Sequence, residues 1–276
     1  MCATKPMLAL DIGNTHSTLA AIRKGKILWK TTLQTAPLTE ARKAKQLAKQ
    51  ISHAITSRFE SVECIGVASV VPQAYQAFVP TLEKSLQAKL LTISASVHLP
   101  FKMGYKTPQT LGADRIAAVA FAAEHFPNQA AIIIDFGTAI TYDLLSSNAK
   151  YLGGLILASP HIVAESLWQH TAQLPKFQWR KTSALIGRST LQCLEAGLFW
   201  GKVAETEGLI AKLKDKLKKK YRETNVIVMA TGGDAEQFAR TIPAIDVVEK
   251  HAVLCGIRII VEKNLSSPAR CTANKM

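Results

Sequence analysis

The sequence predicts an α/β protein built from two similar halves, each running as three strands, a helix, a strand and a helix. Two observations carry this expectation. A strand–turn–strand phrase with an aspartate and a glycine at its turn occurs twice, as LALDIGNTHSTLAAI (8–22) and AIIIDFGTAITYD (131–143). Each phrase then passes a polar turn, Lys24-Gly25-Lys26 or Ser146-Ser147-Asn148, into a third strand-like stretch. Recurrence of a whole meander marks a duplicated unit, although Asp-x-Gly turns also arise in unrelated hairpins.

The elements follow in order. After the first meander (7–35), a helical pattern runs from Leu38 to about Phe59, then a strand CIGVASV (64–70), a helix Pro72–Leu86 and a short strand Leu90–Ile93. A loop with Pro100, Gly104 and Pro108 leads to GADRIAAVAFAAEHF (112–126), whose alanines favour a helix. Beyond the second meander, helices are expected over 162–170 and 185–219. A strand NVIVMA (225–230), a turn and short helix TGGDAEQFA, a strand near Asp246 and a closing helix to Lys263 complete the chain. The repeat places the halves at 1–111 and 112–264. The remaining tail, 265–276, carries no pattern and is expected to be disordered.

Composition narrows the classes. With 276 residues, 48% of them hydrophobic, the chain has material for two full cores. No apolar run reaches the roughly 20 residues that cross a bilayer, and no secretory signal pattern opens the chain. Cysteines at 2, 64, 193, 255 and 271 are odd in number and show no CxxC spacing, so a reducing cytoplasmic setting without a zinc site is expected. The net charge of +14 raises nucleic acid as a partner. Its one dense run, KLKDKLKKKYR (212–222), falls at a helix end, where lysines complement the dipole. No zinc-finger, RNA-recognition or KH signature accompanies it, so nucleic acid is not expected.

Four loops carry chemistry. Backbone N–H groups in a turn after a first strand cradle anions, glycine permits close approach, and Asn or Thr adds donors. A carboxylate in such a turn suits phosphate only with a cation between them, and Mg²⁺ takes one or two carboxylates while keeping waters. Two such turns facing each other across a cleft fit the two ends of ATP. Asp11, Gly13, Asn14 and Thr15 form the first, and Asp135, Gly137 and Thr138 the second. In VMATGGDAEQFA (228–239), Gly232 and Gly233 join strand to helix, which suits a ribose or base but equally a plain turn. P-loop and GxGxxG patterns are absent. In YKTPQTLGADRIA (105–117), Asp114 and Arg115 open a helix. Asp114 is either a dipole partner or a base for an attacking hydroxyl, and Arg115 a grip for an acidic substrate.

DIGNT, GADR, DFGTA, YLGG and ATGG, in this order and spacing, resemble the type III pantothenate kinases, from about Met7 to Asn264. YKTP, TAQLP (171–175) and IGRST (186–190) extend the match. The resemblance implies duplicated actin-like, ribonuclease H-like halves around an ATP cleft, and phosphorylation of pantothenate in the first step of coenzyme A synthesis. It implies that Asp11, Gly13, Asn14, Thr15, His16, Ser17 and Thr18 lie along the ATP phosphates, with Asp11 near Mg²⁺. Thr138, Gly232 and Gly233 would also meet ATP. Asp114 would be the general base, and Tyr105, Gly112, Ala113, Arg115 and Thr190 would contact pantothenate beside it. Asp135 would hold a monovalent cation, K⁺ or NH₄⁺, and the protein would be a homodimer. Two positions depart from the family pattern: His16, and Ser159-Pro160 where a Pro-Gly pair is usual. The rival readings are a superfamily kinase for another small hydroxy acid or sugar, and a non-catalytic regulator on the same fold.

Overall fold

A computed structural model describes residues 5–265. They divide into two compact units, residues 5–125 with 252–265, and residues 126–251. The first unit holds β1 (Met7–Ile12), β2 (His16–Arg23), β3 (Lys26–Gln34), α1 (Ala41–Thr56), β4 (Cys64–Ser69), α2 (Pro72–Leu86), β5 (Lys89–Thr92), β6 (Lys102–Met103) and α3 (Ala113–His125). The second holds β7 (Ala130–Phe136), β8 (Ala139–Leu145), β9 (Lys150–Ala158), α4 (Pro160–His170), α5 (Thr190–Tyr221), β10 (Val226–Thr231), α6 (Ala235–Ala239) and β11 (Val247–Val248). The closing helix α7 (Ala252–Leu265) returns to the first unit.

Strand order makes the duplication explicit. The first sheet runs β3-β2-β1-β4-β5, and the strands of the second unit run β9-β8-β7-β10-β11. In both, the first three strands are antiparallel neighbours and the later strands add in parallel beside the first. Asp11 is in register with Thr18 of β2 and Ala68 of β4. Asp135 is in register with Thr141 of β8 and Thr231 of β10. Each aspartate is the penultimate residue of its first strand, so the strands continue through the carboxylates and the turns begin one residue later.

The core of the first unit sits between one sheet face and α1 and α2, with Leu8, Leu10, Ile12, Leu19, Ile65, Val67 and Phe78 sealed inside it. Strand alternation turns Met7, Ala9 and Gly66 to the other face, where a Cβ on Gly66 would press to 2.6 Å from Ile257 and Val261 of α7. α7 in turn packs on α3, and the lack of a side chain at Gly256 lets its backbone meet Ala117. This packing is why the units part at 125/126 and 251/252, whereas the repeat suggested 111/112 and a C-terminal half reaching 264. α3 and α7 bury their apolar sides with the first sheet, whatever half their sequence position suggests. The second unit's core gathers Ile132, Ile134, Phe136, Tyr142, Phe199, Phe238 and Ile242.

Boundaries shift for local reasons. The helix expected from Leu185 begins at Thr190, because Ser189 caps it: its Oγ accepts the Gln192 N–H at 3.3 Å. Leu185 and Ile186 stay exposed ahead of that cap. α4 starts at Pro160 instead of Ile162, with Ser159 as its N-cap and proline in its first turn. Of the expected tail, Leu265 ends α7, and residues 266–276 lie outside the described residues.

Candidate active site

In the first unit, the turn between β1 and β2 is pinned from a distance. Gly13 N–H donates to the His16 carbonyl at 3.1 Å. Thr35, directly after β3 and 1% exposed, clamps the same turn twice. Its N–H donates to the Thr15 carbonyl at 2.9 Å and its Oγ1–H to the Gly13 carbonyl at 2.7 Å. With that proton committed, the Ser17 hydroxyl donates to Thr35 Oγ1 at 2.8 Å. Asn14, Thr15 and His16 remain exposed and Asp11 half-buried. His16 Nε2 lies 3.0 Å from Gln34 Nε2, and Thr18 Oγ1 lies 3.2 Å from Thr32 Oγ1. The residues expected along the phosphates therefore split: Asn14, Thr15 and His16 face solvent, whereas Ser17 is spent on shaping the turn.

The same unit brings Asp114 to the neighbouring strand end. Val70 N–H donates to the Ile12 carbonyl at 3.0 Å, carrying β4 alongside the turn. A Cβ on Gly112 would lie 3.5 Å from Val70 and 2.5 Å from Asp114 Oδ1, so only glycine leaves that carboxylate its place. Asp114 sits in the first turn of α3, where its Oδ1 accepts the Arg115 N–H at 2.7 Å. Burial raises its pKa above the ordinary carboxylate range, and the Arg115 N–H and guanidinium pull it part of the way back. Ala113 and Arg115 are buried, and Tyr105 is half-buried on the loop before α3.

In the second unit, Asp135 is half-buried at the end of β7, and Gly137 and exposed Thr138 form the turn into β8. The glycine loop packs onto this end. Gly232 has φ +93°, and a Cβ there would collide with Asp135 Oδ1 and stand 2.7 Å from the Phe136 carbonyl carbon. Asp234 N–H donates to the Phe136 carbonyl at 3.2 Å. Gly233 faces open space on its Cβ side. The two glycines therefore differ: Gly232 is required by the fold of the loop, and Gly233 leaves room beside it. α6, which leaves the loop, has five residues. Thr190 is exposed at the first position of α5.

Three residues that brace these turns from outside had no sequence signal. Thr35 reaches the first turn across 22 residues. His161 and Asp234 pair across 73, with Nε2–Oδ2 at 3.2 Å. Only the tertiary pairing joins them.

A metal at either aspartate would not be caged by protein alone, because no group of three or more His, Cys, Asp or Glu converges among the described residues. A single carboxylate beside an exposed turn suits Mg²⁺ that takes its other ligands from phosphate and water.

Two units whose strands run in one order, each with an aspartate next to the last residue of its first strand, define the class as an α/β fold of duplicated actin-like halves. Solved structures agree. A Sinorhizobium meliloti protein described as a 2-dehydro-3-deoxygalactonokinase superposes with TM-score 0.59 at 11% identity, covering 93% of this chain and 98% of that one. The inorganic polyphosphate/ATP-glucomannokinase of Arthrobacter sp. strain KM gives 0.50 at 14%, covering 94% and 100%. At such identities the likeness is one of fold. Sequence is more specific: the profile of the type III pantothenate kinase family matches residues 7–212. The type III pantothenate kinase of Chlorobaculum parvum is 35% identical over 257 residues, 93% of this chain and 94% of that one. This chain belongs to the type III pantothenate kinase family.

Proposed function

We propose that this chain transfers the γ-phosphoryl group of ATP to the primary hydroxyl of pantothenate, the first step of coenzyme A biosynthesis. Family membership supports the reaction, and the half-buried Asp114 carboxylate, its pKa raised by loss of solvent, is the observation that carries its mechanism. Asp114 takes the hydroxyl proton as that oxygen bonds the γ-phosphorus, while the bond from phosphorus to the β,γ-bridging oxygen breaks and ADP leaves. A carboxyl raised by burial is a stronger base than an exposed aspartate, and Gly112 keeps its place clear. Arg115, Tyr105, Gly112, Ala113 and Thr190 bind pantothenate. The turn from Gly13 to Thr18, held by Thr35, receives the phosphates. In the second unit Thr138 is a further contact for ATP, and Gly232 and Gly233 suit its ribose or base.

Mg²⁺ at Asp11 would neutralise phosphate charge, and K⁺ or NH₄⁺ would sit at Asp135. The working form is a homodimer in the cytoplasm. Exposed Ile156 on β9 and exposed Ile162 and Trp168 on α4 are apolar side chains that a second copy could cover. Among the described residues no helix is long and apolar enough to cross a membrane. The test is phosphate transfer from ATP to pantothenate with Mg²⁺, comparing K⁺ or NH₄⁺ with Na⁺. Turnover that needs K⁺ or NH₄⁺ supports substrate and cation together. A folded protein that turns over neither pantothenate nor any of a panel of small hydroxy acids overturns the kinase reading.

A further inference from the structure

Ser159 caps α4 and Pro160 opens it, which puts His161 in its first turn. From there two routes lead to the end of β7. The polar route is short: His161 Nε2–H donates to Asp234 Oδ2, whose backbone N–H holds the Phe136 carbonyl. Asp234 stands at the N-cap position of α6 yet makes no side-chain cap bond, because its carboxylate is turned to His161 and Gln237. The apolar route is a chain of rings. His161 meets Trp179 edge-on at 5.5 Å, Trp179 stacks on Phe238 at 5.6 Å, and Phe238 stacks on Phe136 at 4.8 Å. Both routes finish at Phe136, the residue after Asp135.

We propose that His161 is a positioning residue for nucleotide binding. By holding Asp234 it keeps the Gly232–Asp234 turn seated on Asp135 and Phe136, and so sets the affinity for ATP. This rests on the reading of Asp135, Gly232 and Gly233 as part of the ATP site. The His161 side chain is 59% exposed and that of Asp234 17%, and an ion pair open to solvent on one side adds little to global stability. Its effect belongs in ligand affinity, which separates positioning from plain structural support.

The experiment measures the dissociation constant for ATP with Mg²⁺ by equilibrium dialysis, with kcat and both KM values, for the wild type, His161→Ala, His161→Gln, Asp234→Ala and the double alanine variant. His161→Ala should weaken ATP about five- to tenfold, as contacting residues of one network do. Its kcat, its KM for pantothenate and its melting temperature should hold near wild type. His161→Gln, which keeps an N–H donor, should recover most of the loss. In the Asp234→Ala background, His161→Ala should add nothing, since the two act as one unit. Unchanged ATP affinity in His161→Ala, or losses that add in the double variant, would overturn the inference. Weakened ATP binding in a protein that does not phosphorylate pantothenate would sustain it while removing the proposed substrate. A wild type that binds no ATP would overturn both.

Discussion

Asp114 shows how a single residue is tuned by its neighbours. Burial raises its folded-state pKa, so its contribution to stability is complete below the unfolded carboxylate range and is lost as pH rises through the raised value. Once ionised, the wild-type carboxyl is a poorly solvated charge that an amide of the same shape avoids. Asp114→Asn should lower kcat by about 10²- to 10⁴-fold, the usual weight of a general base. It should melt at or above the wild-type temperature at pH 7, and that advantage should fade toward acid pH. A marked fall in melting temperature at pH 7 would contradict this account of the burial. The acid limb of wild-type kcat/KM should lie above the ordinary carboxylate range, because the base must be ionised to act. Gly112→Ala tests the same carboxylate from outside, since its Cβ would lie 2.5 Å from Asp114 Oδ1. The side chain must rotate away, so kcat should fall at least tenfold, about 1.4 kcal/mol in the barrier. Melting should change little.

At the scale of elements, the two strand-end turns are held by residues remote in sequence. Thr35 follows directly on β3 but serves the β1–β2 turn, and Thr35→Val strips the Gly13 carbonyl and the Ser17 hydroxyl of their partner. Leaving buried polar groups unpaired costs about 1–3 kcal/mol, which chemical denaturation should register as a lower midpoint. The KM for ATP should rise with it, and an unaltered KM would detach this turn from the phosphates. Gly232→Ala acts in the second unit through two penalties: a positive φ and a collision with Asp135 and Phe136. Strain of this kind is on the order of 1–3 kcal/mol. The expected outcome is lost K⁺ or NH₄⁺ dependence with weaker ATP binding, read in the same turnover assay.

For the whole molecule, the exposed apolar side chains of β9 and α4 make association a measurable quantity. Ile156 is 66% and Trp168 37% exposed, and large apolar residues left in water favour a partner. Light scattering should give twice the 30.0 kDa chain mass, and Ile156→Glu with Trp168→Glu should return the chain to a monomer. A wild-type monomer at micromolar concentration would place the homodimer aside. The +14 charge has no such focus in the described structure; its densest run lies along the exposed end of α5.

Local pattern determined much of this protein. Alternating and β-branched runs marked nearly every strand, Asp11 and Asp135 announced the duplication, and the helix from about Pro72 to Leu86 was legible in the sequence. These features depend on neighbours within a few positions, where side-chain period and turn chemistry act. Tertiary structure decided what depends on distance along the chain. It assigned α3 and α7 to the first unit, because the sheet face they bury lies on that side. It took Ser17 into a hydrogen-bond chain with Thr35, and it paired His161 with Asp234 through a helix start that Ser159 and Pro160 create. No local rule signals such pairs, since closing a loop of 22 or 73 residues is settled by the packing of the whole unit and leaves no mark on the residues between.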